Sequence, residues 1–397
     1  MVTNRLTRTA LVGAALTGLI LALPKAPAHA ATTTPAGWDG GALGLSSAQD
    51  LSQGEGVTVA VLDSGVVADH PALKGRVTTG PDYFKDGLDS QSPEWGGHGT
   101  AMASDVLKVA PKAKILSIRV ISDEEEPDDG NVEARRGTSP IVEGIYYAVD
   151  HGADVISMSL GTGEVANYAD EQDVAAIGYA LSHGVAVLAA AGNSGDKLNE
   201  IAFPPGYAGA ISVAAANRSG GRAEFSTVHT YNEVAAPGVG ITSAKNTGGF
   251  EPVDGTSPAT ALASGVVALM LSHNPKVTPA QVRAILTGTA QHPQGGWNAM
   301  LGYGQINAAA AVKAAAAPPD DKTTPVKYEG KEHFASPVGT SKTTHPAMEQ
   351  EVWFTGLGAA GVGLLMLIGA ILLVRSGRGR AGGSARTMAP PPGHFGA

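Results

Sequence analysis

The 397-residue chain has no cysteine, which excludes disulfides, a CxxC redox pair and a cysteine nucleophile. The same absence leaves the redox compartment open. A basic excess is also missing: 27 Lys and Arg stand against 36 Asp and Glu, a formal net charge of −9, so no nucleic-acid footprint is expected. No internal repeat is evident. The acidic stretch "SDEEEPDDGN" (Ser122–Asn131) lacks the ligand spacing of an EF-hand loop, so structural calcium stays an option without support from the sequence, and no cofactor is expected. What is present is 43% apolar residues and 53 glycines, a composition suited to a well-buried core with many tight turns.

The two ends differ from the middle. Arg5 and Arg8 precede an apolar run from Ala10 to Leu23, and Ala28-His29-Ala30 supplies small residues for a signal peptidase. The run is short for a membrane span, so residues 1–30 are predicted to be a signal peptide. Near the other end, Trp353 to Val374 contains no charged residue, and as a helix its 22 residues would span roughly 33 Å, enough for the hydrocarbon core. Arg375, Arg378 and Arg380 follow at once, so a transmembrane helix over 353–374 and a cytoplasmic basic tail over 375–397 are expected. A sortase signal would need an LPxTG-like motif upstream, and "KTTHPAMEQEV" has none. Residues 318–350, rich in Pro, Thr, Lys and Glu without apolar periodicity, read as a flexible stalk. These features predict one exported domain, residues 31–317, held at the cell membrane by one span inserted in the lipid bilayer, with the domain extracytoplasmic.

Within that domain, "VTVAVLD" (Val57–Asp63), "AKILSIRVI" (Ala113–Ile121), "ADVISMSL" (Ala153–Leu160), "GVAVLAAAGN" (Gly184–Asn193) and "AISVAAAN" (Ala210–Asn217) are continuous apolar runs. Such runs suit strands buried on both faces of a parallel sheet. "SPIVEGIYYAVDHG" and "DEQDVAAIGYALSHG" lie between them with helical spacing and terminal glycines. The alternation predicts an α/β fold, a doubly wound, mainly parallel sheet with helices on both faces. Functional groups gather at the carboxyl ends of strands in such sheets, where Asp63 and Asn193 fall.

Four residues stand at glycine-rich junctions. Asp63 ends a strand in "VAVLDSGV", His98 follows two glycines in "GGHGTAMAS", Asn193 sits in "AAAGNSGD", and Ser257 opens an apolar run in "DGTSPATALASGVVALML". Taken singly, each has a plain reading: a capping carboxylate, a loop histidine, a turn asparagine, and a serine capping a helix that starts at Pro258. Taken together, they supply what acyl transfer needs: a nucleophile, a base, a carboxylate to orient the base and a donor for the developing oxyanion.

The order Asp, His, Ser is that of subtilisin. With "VAVLDSGV", "HGTAMA", "SMSLG", "AAAGNSG" and "GTSPATALASG" in sequence, the chain resembles the subtilase family of serine proteases from Trp38 to Ala315. The resemblance implies Ser257 as nucleophile, His98 as general base, Asp63 as its orienting carboxylate, and Asn193 with the Ser257 backbone N–H as oxyanion hole. It further implies that Ser159-Leu160-Gly161 pairs with an extended substrate, with Ala190-Ala191-Gly192 on the facing wall. Ala261 stands where many subtilases carry proline, proline comes instead as Pro258, and the helix after His98 is expected to be short. Too few residues separate the predicted cleavage site from domain sequence to hold a folded inhibitory pro-domain. Subtilases of this layout resemble mycosins, membrane proteases of type VII secretion, which implies protein or peptide substrates and secretion-complex partners. The alternative function is a scaffold that keeps the shape without catalysis. Esterase activity is permitted by the same chemistry, and the extended pairing strand argues against it. The acidic residues Asp123, Glu124, Glu125 and Glu126 read first as a solvated acidic loop; the alternative, since subtilases place a loop here at the cleft rim, is that they attract basic residues two to four positions before the cleaved bond.

Overall fold

The computed structural model describes residues 34–35, 37–123, 139–164, 170–321 and 350–380. The predicted signal peptide, Glu124 to Asn131 of the acidic stretch, the stalk after Asp321 and the tail after Arg380 lie outside the described residues.

The described elements alternate much as the apolar runs require. Helices α1 (Trp38–Leu43) and α2 (Leu45–Gln49) precede strands β1 (Thr58–Asp63) and β2 (Val77–Asp82). Then α3 (Gly97–Val109) leads to β3 (Lys114–Arg119), and α4 (Pro140–Asp150) to β4 (Val155–Met158). Short β5 (Thr162–Glu164) is followed by α5 (Glu171–Ser182), β6 (Ala186–Ala190) and β7 (Ile201–Phe203). Strands β8 (Ile211–Ala216), β9 (Asn232–Pro237), β10 (Ile241–Ala244) and β11 (Phe250–Val253) lead to α6 (Thr256–His273). The remaining helices are α7 (Pro279–Thr289), α8 (Ala308–Ala315) and α9 (Gln350–Arg380).

The main sheet runs β2-β3-β1-β4-β6-β8-β9, every neighbouring pair parallel. Its five inner strands are those read from the apolar runs. Successive side chains point to opposite faces of a strand, and the packing divides accordingly. Val59, Val61, Ile115, Leu188 and Val213 join one core with α3 and α6, while Ala60, Leu62, Ile118, Met158 and Val187 join another with α4 and α5. That two-sided burial makes the sheet doubly wound. Ser139 caps α4 by accepting from the Ile141 N–H at 3.3 Å, and Asp170 caps α5 by accepting from the Gln172 N–H at 2.8 Å.

Helix α6 is buried along its whole length from Thr256 to Leu271, as suits a helix apolar on every side. It lies against α3 at Gly265, where a Cβ would come within 2.6 Å of Val109 Cβ and 2.9 Å of the Val106 carbonyl. Only a residue without a side chain permits that approach. Helix α3, expected to be short, runs for 13 residues. Within α9, Phe354–Leu373 is long and apolar enough to cross a membrane, with mean hydropathy 2.3. The helix continues through Arg380, past the expected start of the tail at 375.

Candidate active site

The sequence candidates collect where β1, β4 and β6 end and where α3 and α6 begin. Asp63, the last residue of β1, is fully buried, and its Oδ1 accepts from the Ser64 N–H and from His98 Nδ1, both at 2.7 Å. The remaining oxygen, Oδ2, has no hydrogen-bond partner among the described residues. Compensation of this buried charge therefore falls mainly to the imidazole.

His98 occupies the first turn of α3. The first free N–H groups of a helix need acceptors, and here the protein provides them. The Asp123 carboxylate accepts from the Gly97 N–H and, at 3.0 Å, from the His98 N–H, while Ser64 Oγ accepts from the Gly99 N–H at 3.1 Å. Asp123, read from the sequence as part of a solvated acidic loop or as a substrate contact, is thus committed to the helix that carries His98. Burial opposes a charged imidazole. Asp63, by charge and by hydrogen bond, and the charges of Asp123 and Asp105 outweigh it, so the His98 pKa lies above the ordinary histidine value. The side chain remains 32% exposed.

Ser257 sits one residue inside α6, so the plain capping reading does not hold. Gly255 occupies the cap position at φ 154°, a backbone conformation reserved for glycine, and makes no side-chain cap. Pro258 falls within the first turn, where its missing N–H would have had no helical partner. The Ser257 hydroxyl donates to the Ser159 carbonyl at 3.2 Å, and Ser159 Oγ donates back to the Ser257 carbonyl at 3.0 Å. Among the described residues no hydrogen bond joins Ser257 to His98.

Asn193, just beyond β6, accepts through Oδ1 from both the N–H and the hydroxyl of Thr256, each at 2.9 Å. With Oδ1 so held, its Nδ2 is left without an acceptor among the described residues, as is the Ser257 backbone N–H. Thr256 Oγ1 also accepts from the Gly192 N–H at 3.2 Å, tying the start of α6 to the end of β6. Neither Thr256 nor Ser64 stood out in the sequence. Their side chains matter only once separate strand ends are brought together.

Ser257 and Asn193 border a cavity of about 290 Å³ whose walls include Ser159, Leu160, Gly161, Ala190 and Gly192. Ala191 is placed differently: fully buried, it packs with Ala214, Ala216 and Ala235 behind the wall. The antiparallel pair β5 and β7 adjoins this region, and Ala202 of β7 and Glu200 before it complete part of the lining. Beside the end of β1, buried Arg119 at the end of β3 donates to the Ser64 carbonyl at 3.0 Å, engages Asp82 and Asp86, and stacks on Trp95 at 4.6 Å. Those two carboxylates serve a cation of the protein itself. Among the described residues no group of three or more His, Asp or Glu side chains is placed to hold a metal ion.

Residues 54–304 match the profile described as the Subtilase family. Thermitase of Thermoactinomyces vulgaris is 35% identical over 277 residues, covering 67% of this chain and 92% of that protein. Among solved structures, the MycP3 protease from the type VII (ESX-3) secretion system superposes with a TM-score of 0.61 at 32% identity, covering 70% of this chain and 88% of that one. MycP1 from Mycobacterium smegmatis gives a TM-score of 0.62 at 26% identity, covering 78% of this chain and 91% of that one.

Proposed function

The chain belongs to the subtilase family and is a serine-type endopeptidase, and from that premise we propose that Asp63, His98 and Ser257 perform its chemistry, with Asn193 and the Ser257 N–H as oxyanion hole. The observation that carries this assignment is the 2.7 Å bond from buried Asp63 to His98 Nδ1, which leaves Nε2 for a substrate-side proton. In the reaction, Ser257 Oγ swings from the Ser159 carbonyl toward Nε2. It passes its proton there as it bonds the scissile carbonyl carbon. The carbonyl electron pair moves onto oxygen, which the two unpaired N–H donors receive. His98 then gives the proton to the departing amine as the C–N bond breaks, and water repeats the sequence to release the acid. A nucleophile turned toward the Ser159 carbonyl is compatible with this route, because catalytic hydrogen bonds often tighten only as substrate binds.

Labelling by a fluorophosphonate probe tests the assignment. Label on Ser257, lost in both Ser257→Ala and His98→Ala, is expected; label elsewhere overturns it. The serine's bond away from His98 is the one observation favouring a scaffold role. A folded chain inert to the probe and to peptides would decide for that role.

For location, the proposal is a signal peptide over 1–30, a peptidase domain over 31–317, a stalk over 318–350, a membrane helix over 353–374 and a cytoplasmic tail over 375–397. Support comes from the apolar run Phe354–Leu373, from the arginines after it and from structural neighbours that are proteases of type VII secretion systems. A role beside a membrane secretion complex follows from the same neighbours. Full-length protein is expected to stay with membranes through an alkaline wash, and a chain ending at residue 350 to be released. Release of both would remove the anchor from the proposal.

A further inference from the structure

The cavity beside Ser257 carries one charged lining residue, Glu200. The rest of the wall is small or uncharged, including Gly161, Ala190, Gly192 and Ala202. Glu200 stands just before β7, two positions from Ala202, and both line the same cavity. The Ala202 Cβ lies 3.6 Å from where a Cβ on Gly161 would stand and 3.3 Å from one on Gly192. The backbone under Glu200 is fixed, its N–H donating at 3.0 Å to Ser194 Oγ, itself part of the wall. The Glu200 side chain is half-buried and makes no hydrogen bond or ion pair with any described residue. Cations nearby are otherwise engaged or placed elsewhere. Arg222 donates to the Glu224 and Ser226 carbonyls, and Lys197, on the same turn as Glu200, is exposed and does not line the cavity.

A half-buried carboxylate without a protein partner, in the wall of a cavity otherwise lined by small and uncharged residues, is complemented by a cation from outside. Lysine and arginine suit such a site because the apolar stem lies along the small-residue wall while the charged head reaches the acid. An apolar side chain would remove water from the carboxylate and give nothing back, and an acidic one would be repelled.

We propose that Glu200 is the specificity-determining residue of this cavity, and that it selects a lysine or arginine side chain immediately before the scissile bond. The inference rests on the reading of Ser257 as nucleophile, since that reading places this residue of the substrate in the cavity.

The test is a set of fluorogenic peptides identical except for Lys, Arg, Leu, Phe or Glu before the bond, offered to the full chain, to Glu200→Gln and to Glu200→Lys. Ratios of kcat/KM within one preparation are read, so any loss of folded enzyme cancels. The unaltered chain is expected to prefer Lys over Leu by about tenfold or more, a preference that added salt weakens. In Glu200→Gln that ratio should collapse toward one, and in Glu200→Lys the Glu peptide should overtake the Lys peptide. A ratio unchanged by Glu200→Gln, or no charge preference in the unaltered chain, overturns the proposal while leaving the nucleophile assignment standing. Fluorophosphonate labelling away from Ser257 overturns both.

Discussion

Two helices begin at this site, and they treat their first amides in opposite ways. At α3 the protein supplies its own acceptors: Asp123 takes the Gly97 and His98 N–H groups and Ser64 takes that of Gly99. At α6 the cap is a glycine, the Thr256 N–H goes to Asn193, and the Ser257 N–H stays open beside Asn193 Nδ2. Both helix starts carry partial positive charge. One is neutralised internally and holds a base in place; the other is kept vacant for negative charge that exists only during reaction. The difference explains why the Asp63–His98 half is densely bonded, whereas the Ser257 half borders an open cavity.

The largest expected effect breaks the open end. Ser257→Ala should lower kcat by about 10⁴-fold or more, the order measured when single triad members are removed from subtilisin, while peptide binding persists. Next is Asn193→Ala, expected to cost about 10²–10³ in kcat with KM little changed; the range is borrowed from the equivalent subtilisin amide. A uniform rise in KM would instead assign Asn193 to ground-state binding.

At the closed end, the effects turn on charge. Asp105, two turns along α3, is buried with Lys108 and Asp39. Burial raises its pKa to about 6, despite Lys108 and the Ser243 hydroxyl. The folded value exceeds the unfolded one near 3.9, so its stabilising contribution is complete below that pH and lost as pH rises through about 6. Asp105→Asn should remove a pH dependence on the order of 3 kcal/mol between pH 4 and 7.5, read by urea unfolding. An unaltered slope would show that Asp105 does not titrate in this range.

The smallest effect sharpens the contrast. As a base, His98 must be neutral, so kcat/KM falls as pH drops through its raised pKa. Asp123→Asn keeps a capping acceptor and removes one of the charges behind that rise. The acid limb should therefore move to lower pH by a fraction of a unit. A limb that stays put would leave Asp123 as a cap alone.

The sheet's interior was legible because β1, β3, β4, β6 and β8 are buried on both faces and read as unbroken apolar runs. Strands β2 and β9 were not. The first is a partly exposed edge containing Gly80 and Pro81, and the second mixes Asn232, Glu233 and Pro237 among its alanines. Asp63, His98, Asn193 and Ser257 could be picked out through motif and order. Ala191 could not be told from its neighbours, since which residue of Ala190-Ala191-Gly192 turns inward depends on the packing of Ala214 and Ala235. Asp123, Ser64 and Thr256 are invisible to periodicity: each acts through backbone N–H groups brought near by tertiary folding.

Gly265 has a reach beyond its own contact. His98 and Ser257 ride at the front of two rods that touch where this residue lacks a side chain, about 12 Å behind the serine along α6. The gap between proton acceptor and hydroxyl is therefore gauged at a point that neither peptide nor solvent visits. One added methyl there would wedge the rods apart and detune the chemistry without altering any group that takes part in it.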